Sequence, residues 1–187
     1  IYNIFKEDLE KKNLRCEYTS EIRDNYLYMD RTHVEEVAMN LISNAIKYTP
    51  DGGVIKVDAS ETEVLDDNVS YRFIVEDNGI GMSEEFAARI FEDFEREKRE
   101  ETEKIQGTGL GMAITKNIID LLEGEIILET KENVGSKFIV DVTLPIVSEE
   151  EVENLNTPSS DITEADFEGK RVLLVDDMEI NREIGVA

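Results

Sequence analysis

The chain has 187 residues, 40% of them hydrophobic, which is enough to bury one domain core with some length left over. No segment approaches the roughly 20 consecutive apolar residues that a membrane-spanning helix needs. Its 20 basic and 44 acidic residues give a net charge of −24, which disfavours a nucleic-acid partner because phosphate backbones would be repelled. Any nucleotide site here must therefore supply local positive charge, from a metal, a helix N-terminus or selected basic side chains.

Periodic apolar patterns predict an α/β domain followed by a tail. The clearest helix has a capping box at Thr32 and Glu35, with Asp30 as a competing cap, and Pro50 followed by glycines ends it. Pro145 is expected to close the domain. In chain order we predict a helix end over 1–14, strands over 15–21 and 26–29, a helix over 31–48, strands over 54–59 and 71–76 joined by an acidic loop, helices over 83–92 and 110–122, and strands over 125–130 and 136–144.

Two charged segments stand outside these elements. Residues 95–106 are almost wholly charged, with Ile105 as the one sizeable apolar group, so burial cannot offset the entropy of ordering them. We expect this segment to be mobile without a ligand. Residues 146–169 are acidic and contain Ser and Pro, which predicts a linker between the domain and residues 170–187.

The helix over 31–48 carries a polar stripe separate from its apolar one. Glu36, Asn40, Asn44 and Lys47 recur at spacings of four, four and three residues, which places them on one face. A solvent-facing stripe is the commoner explanation. Two asparagines in mid-helix favour a site, because Asn is a poor helix former, its amide oxygen suits Mg²⁺, and a nearby lysine suits phosphate.

Two glycine-rich segments are candidate ligand-binding loops. Asp77-Asn78-Gly79-Ile80-Gly81 follows a strand, where a carboxylate can accept from an exocyclic amine and glycines let a flat ring approach. Gly107-Thr108-Gly109-Leu110-Gly111 opens a helix, whose first amides are suited to phosphate. Each segment alone is also explained as a simple turn. The second segment fits neither the G-x-x-x-x-G-K-[ST] phosphate loop nor the G-x-G-x-x-G dinucleotide pattern.

The order of the motifs is more specific than any one of them. NLISNAIKYTP (40–50), VEDNGIGM (75–82), IFEDFER (90–96), GTGLGMAI (107–114) and VGSKFIVDVTLP (134–145) occur in that sequence. They resemble the N, G1, F, G2 and final G boxes of histidine-kinase catalytic domains. The resemblance covers roughly residues 15–145. It implies a two-layer α/β sandwich, a mixed sheet with helices on one face, with ATP held beneath a mobile lid.

Roles for individual residues also come from this resemblance. Asn44 is the implied Mg²⁺ ligand, Asn40 and Lys47 the implied phosphate contacts, and Tyr48 packs against the nucleotide. Asp77 is expected to accept from the adenine amino group. The other implied site residues are Ser136, assisting Asp77 through water, Gly79 and Gly81 beside the base, Gly107, Thr108, Gly109, Leu110 and Gly111 at the lid hinge and its phosphate-facing end, Phe91 and Phe94 as lid anchors, and Arg96 near the terminal phosphates. The implied catalytic residues are Asn40, Lys47 and Arg96, and Phe91 and Phe94 are equally well explained as core residues.

The residue at position 40 bears on the reaction. Hydrolysing relatives of this fold carry a glutamate one turn before the metal-binding asparagine, whereas Asn40 cannot act as a general base. We therefore predict phosphotransfer to a histidine, with a hydrolysing ATPase and a nucleotide-binding docking module as alternatives. The only histidine, His33, lies in the first helical turn and lacks a phosphoacceptor context, so the acceptor is expected on a separate dimerisation domain. Residues 1–14 are then the end of that domain's helix.

The last residues resemble another module of the same signalling systems. KRVLLVDDMEINREI (170–184) is similar to the opening strand and helix of a response-regulator receiver domain. Asp176 and Asp177 would form its acidic Mg²⁺ pair. The resemblance implies a cytoplasmic hybrid kinase, homodimeric at full length, whose partners are its dimerisation domain and a receiver domain or response regulator; membrane anchoring is left open.

Overall fold

The structure, a computed structural model, describes residues 2–23, 26–27, 29–65, 67–97 and 108–148. All of these lie in one compact unit, residues 1–149. The predicted linker beyond residue 148, the acidic pair Asp176 and Asp177, and Gly107 lie outside the described residues. The described elements, in chain order, are α1 (Tyr2–Lys11), β1 (Arg15–Glu21), β2 (Tyr26–Leu27), α2 (Arg31–Tyr48), β3 (Val54–Leu65), β4 (Asn68–Asp77), α3 (Glu84–Ala87), α4 (Gly111–Leu121), β5 (Glu125–Lys131) and β6 (Gly135–Val147).

The strands form a mixed sheet in the order β1-β3-β4-β6-β2, with β5 also paired to β6. Only β1 and β3 are parallel among the described pairs, and the chain between them carries α2. A parallel pair requires such a crossover, because a short turn cannot return the chain to the same end of the sheet. The remaining pairs are antiparallel. The sheet therefore positions α2 against one of its faces.

The hydrophobic core lies between the helices and the sheet. Phe5 and Leu9 of α1, Leu41 of α2, Ile119 of α4 and Ile55 of β3 are buried in a single cluster. The apolar stripe of α2 thus packs inward, as its helical spacing predicts. The predicted fold class, a mixed sheet with helices, is confirmed. No helix in the described part of the chain is long and apolar enough to span a membrane.

Several element ends differ from the sequence-based prediction. The acidic loop expected between the third and fourth strands is instead part of a long hairpin, because β3 and β4 pair as far as Leu65 and Asn68. Pro145 does not end the domain: β6 runs through it to Val147 and pairs there with β2. The helix expected over 83–92 is only α3, Glu84–Ala87, followed by turns.

Candidate functional site

A cavity of about 210 Å³ lies where the end of α2, the start of α4 and the loop after β4 meet. Asn40, Asn44 and Lys47 of the polar stripe of α2 face it, so this part of the stripe is not simply a solvated surface. Segments far apart in sequence, 77–82, 95–97 and 108–112, form the other walls. The predicted site residues that line the cavity are Asn40, Asn44, Lys47, Tyr48, Asp77, Gly81, Arg96, Thr108, Gly109, Gly111 and Ser136.

The two asparagines of α2 are oriented by α4. Asn40 Nδ2 donates to the Gly111 carbonyl oxygen at 3.2 Å and to Thr115 Oγ1 at 3.3 Å. Asn44 Nδ2 donates to Met112 Sδ at 3.1 Å. A carbonyl oxygen and a thioether can only accept, so each amide must turn its nitrogen toward α4. The amide oxygens are then the groups left to face a ligand.

Charged side chains of both signs line the cavity, the negative ones being Glu95 and Glu97. Lys47 lines the cavity and is exposed, and Arg96 lines it from the segment after α3. Burial raises the pKa of the Tyr48 phenol, while the positive charge of Arg96 opposes this rise and the negative charge of Glu97 adds to it. Tyr48 is half-buried, and these two charges lie close enough to influence its titration. The cavity thus combines two cations with an aromatic wall.

Asp77 closes the inner end of the cavity. Its residue is 9% exposed, and its Oδ1 accepts from the Gly79 amide at 2.8 Å. Burial raises the pKa of Asp77 to about 6, although hydrogen bonds from the amides of Gly79 and Ser136 favour the ionised form. Desolvation outweighs these hydrogen bonds because it penalises the charged form. A buried carboxylate with unused acceptor capacity suits a ligand amine.

Gly79 follows Asp77 closely in the chain but does not itself line the cavity. A Cβ on Gly79 would lie 2.5 Å from the Tyr48 carbonyl oxygen, so no other residue fits without a shift. The next amide, Ile80 N, donates to that carbonyl at 3.1 Å. The loop after β4 is therefore joined to the end of α2. The implied role of Gly79 beside the base is an indirect one, through this close approach.

A backbone hydrogen bond joins two described residues that lie on either side of the charged segment 95–106. Phe94 N donates to the Gly109 carbonyl oxygen at 3.1 Å. Both residues have left-handed backbones, with φ of 63° and 75°. The Phe94 side chain is 71% exposed, so burial of its ring does not anchor this segment; its backbone does. Phe91 instead packs against the main core, which agrees with the alternative prediction that it is a core residue.

Some residues were missed by sequence reasoning and some predicted ones lie elsewhere. Gly79, Phe91, Phe94 and Leu110 do not line the cavity, and Leu110 is the residue that precedes the first turn of α4. The missed lining residues are mostly apolar, and no sequence signal distinguishes them from ordinary core. They are Ser43, Ala45, Ile80, Met82, Phe86, Ile90, Glu95, Glu97, Met112 and Phe138.

Comparison with known proteins decides the family. Residues 29–147 match the family described as histidine kinase-, DNA gyrase B-, and HSP90-like ATPase. The chain belongs to this family. The chain is a histidine kinase-type ATPase domain, and the matched residues include both the α2 asparagines and the glycine segments around the cavity.

Individual relatives of this ATPase domain are sensor kinases. The autoinducer 2 sensor kinase/phosphatase LuxQ of Vibrio vulnificus strain YJ016 is 33% identical over 183 residues, covering 97% of this chain and 21% of LuxQ. The chain thus spans about a fifth of that relative's length. The nucleotide-free catalytic domain of histidine kinase ThkA has a TM-score of 0.62 and 32% identity, with 75% of this chain and 86% of that one covered. ThkA solved in complex with response regulator protein TrrA gives a TM-score of 0.59, 29% identity, and coverage of 76% and 37%.

Proposed function

We propose that this ATPase domain binds Mg-ATP and transfers the γ-phosphoryl group to a histidine on a separate dimerisation domain of the same kinase. The observation that carries the proposal is the residue at position 40. Hydrolysing members of the fold have a glutamate there, whereas Asn40 presents an amide held on α4 by hydrogen bonds to Gly111 and Thr115. An amide cannot take a proton from water. The domain therefore preserves its phosphoryl group for a protein acceptor.

The phosphate end of the ligand is assigned to the outer part of the cavity. Asn44 holds Mg²⁺ through its amide oxygen, which is consistent with the amide nitrogen being used by Met112. Mg²⁺ commonly takes one or two protein oxygens and completes its shell with phosphates and water. Asn44 is the side chain that would hold the metal here, and the metal would supply charge neutralisation at the phosphates. Asn40, Lys47 and Arg96 contact the phosphates, with Thr108, Gly109 and Gly111 beside them.

We assign the adenine end of the nucleotide to the buried part of the cavity. Asp77 accepts from the adenine amino group, with Ser136 assisting through water and Gly81 forming the adjacent wall. Ser136 Oγ lies 3.0 Å from Thr130 Oγ1, a contact that positions it at the start of β6. Tyr48 packs along the nucleotide. A carboxylate acceptor selects an amine over a carbonyl at that ring position, because two acceptors would face each other without a proton.

No other carboxylate described near the cavity is placed to act as the general base that Asn40 cannot provide. Glu36, one turn before Asn40, is exposed and does not line the cavity. Glu95 pairs with Arg89 at 3.2 Å, and Glu97 accepts from the Ser83 amide at 3.0 Å. These contacts argue against the hydrolysing alternative. The docking-module alternative is tested by a nucleotide-binding titration. We expect the ATPase domain to bind Mg-ATP in this titration.

The phosphoryl acceptor is proposed to lie outside the described residues. His33 is in the first turn of α2, with Nδ1 at 3.8 Å from the Asp30 carboxylate, and does not line the cavity. The acceptor is instead a dimerisation domain, so that the full-length protein is a homodimer working in the cytoplasm. ThkA has been solved with a response regulator, which supports a receiver domain or response regulator as the next partner here. Residues 170–187 are proposed to begin such a receiver domain.

Incubation with γ-labelled ATP tests this function. The chain alone should neither label itself nor release phosphate at an appreciable rate. A fusion that supplies an upstream dimerisation hairpin should gain acid-labile, alkali-stable label, because a phosphoramidate hydrolyses when protonated. The matched control is the same hairpin with its histidine changed to Gln. Label on the chain alone that disappears in His33→Gln, or rapid phosphate release lost in Asn40→Ala, would refute the proposal.

A further inference from the structure

The end of α2 closest to the nucleotide cavity is held by a side chain from α1. The last four carbonyl groups of an α-helix have no partner within it, and they form the negative end of the helix dipole. Here Lys12 Nζ donates to the Ile46, Lys47 and Thr49 carbonyl oxygens, at 2.7, 3.1 and 2.5 Å. The Thr49 amide already donates to Ala45 O, so the four carbonyls without a helical partner are those of residues 46–48 and of the C-cap Thr49. One ammonium group therefore satisfies three of these four carbonyls, and its charge lies where the dipole favours a cation.

The fourth carbonyl is taken by the opposite side of the site. Tyr48 O accepts from the Ile80 amide at 3.1 Å, and Ile80 belongs to the loop after Asp77. The turn that carries Lys47 and Tyr48 into the cavity is thus held from two directions. The Lys12 main chain adds a further link, because its carbonyl accepts from the Gly52 amide at 2.9 Å just after the helix.

The helix that precedes Lys12 packs against the same core as α2. Phe5 and Leu9 of α1 are 7% and 6% exposed and pack in the same cluster as the apolar face of α2. Displacement of α1 along its axis would therefore withdraw the Lys12 ammonium from the three carbonyls. The adjacent Lys11 does not contact α2 in the same way. Its described ion pairs are with Glu7 and Asp8, on the surface of its own helix.

We propose that Lys12 is a positioning residue that couples α1 to the nucleotide-binding end of α2. It fixes the last helical turn, and through this turn it orients Lys47 and Tyr48 toward the phosphates and the nucleotide. Lys12 itself does not line the cavity, so its effect on binding is indirect. The inference rests on the proposed function, because the coupling matters only if the cavity takes ATP. It makes the position of α1 an input to nucleotide affinity.

Calorimetric titration with a non-hydrolysable Mg-ATP analogue tests this coupling. Lys12→Met keeps a similar side-chain length but removes the ammonium. Affinity should fall about fivefold to tenfold if the interaction of the cation with the helix C-terminus is transmitted to binding. Lys12→Arg should bind nearly as wild type, because a guanidinium can donate to the same carbonyls. Lys11→Met, with the same charge change on the adjacent residue, is the matched control and should bind normally.

Backbone hydrogen exchange in the absence of nucleotide gives an independent measurement. In Lys12→Met the amides of Thr49 and Ile80 should exchange faster, while amides in the centre of β6 keep their protection. If folded Lys12→Met binds the analogue as tightly as Lys11→Met, the inference is overturned. If wild type fails to bind while the local exchange effect is present, the cap is real and the proposed function is wrong. Should Lys12→Met not fold, Lys12→Gln, which retains one amide donor, should show an intermediate loss, and an unchanged affinity there overturns the inference equally.

Discussion

Adenosine affinity should rise with pH between about 5 and 7 and stay level above, because only ionised Asp77 accepts from the adenine amino group. Burial raises the pKa of Asp77 to about 6, and the Gly79 amide at 2.8 Å uses only part of its acceptor capacity. A ligand that donates to the carboxylate binds the ionised form and so lowers its pKa. Protonation at acid pH would instead place an O–H against the amine.

The size of the effect follows from that pKa. With a value of about 6, roughly 90% of Asp77 is ionised at pH 7 and roughly 10% at pH 5. If only the ionised form is competent, the apparent Kd is the intrinsic Kd divided by the ionised fraction. The apparent Kd for adenosine should therefore increase about tenfold from pH 7 to pH 5.

Calorimetric titration with adenosine at pH 5, 6, 7 and 8 measures this dependence. Adenosine is preferable to ATP because phosphate groups titrate in the same range. Asp77→Asn is the matched control: its affinity should be lower by at least tenfold, the cost of replacing a charged hydrogen bond, and independent of pH. A level profile in wild type, or the same slope in Asp77→Asn, would show that another group controls binding.

The stability of the unliganded protein should have the opposite pH dependence. The folded pKa of Asp77 lies above its ordinary value of 3.8, so its contribution to stability is fully present below about 3.8 and is lost as pH rises through 6. The loss is on the order of 3 kcal/mol, from the difference between these two values. Thermal unfolding should therefore find Asp77→Asn no less stable than wild type at pH 7, and a large drop in melting temperature would make Asp77 a structural residue.

Two further predictions concern the metal ligand and the glycines. Mg-ATP at a hundredfold excess over its Kd should stabilise the domain by about 2.7 kcal/mol, which for this length is roughly 5–11 °C in melting temperature. Asn44→Ala should lose most of the Mg²⁺-dependent part, whereas Asn68→Ala at the distant start of β4 should keep it; an unchanged shift in Asn44→Ala would refute the assignment. Gly81→Ala and Gly52→Ala both place Cβ on a left-handed backbone, with φ of 61° and 78°, but only the first meets the Lys131 carbonyl oxygen, at 1.9 Å. Urea unfolding should give a loss of about 1–2 kcal/mol for Gly52→Ala and more than about 4 kcal/mol for Gly81→Ala, and equal losses would contradict the packing argument.

Local signals predicted α2 and β1 better than α3 or the ends of the long strands. The bounds of α2 agree with the prediction because its start and its stop at Pro50 are encoded by adjacent residues. Of the two caps proposed, Asp30 is used, and its Oδ1 accepts from the Thr32 amide at 2.8 Å. The long β3–β4 hairpin was missed because its outer half is acidic; β4 is held there by β6 along its whole length, and this support is non-local.

The polar half of the site was predictable and the apolar half was not. Asn40, Asn44 and Asp77 are unusual at their positions, so the sequence marks them. Ile80, Met112 and similar lining residues are ordinary core residues of their own segments, and only tertiary packing brings them to one cavity. The exposed ring of Phe94 was also unpredictable, because nothing in the sequence indicates that this residue adopts a left-handed backbone.

The hydrogen bond between Phe94 and Gly109 has a consequence for how the chain tolerates insertions. It fixes the separation of the two ends of the intervening stretch, whatever number of residues joins them. The entropy of closing a loop grows only slowly with length, by about 0.6 kcal/mol for each doubling. Residues added between positions 97 and 108, which both line the cavity, should therefore cost little in stability and leave the Phe94–Gly109 hydrogen bond in place.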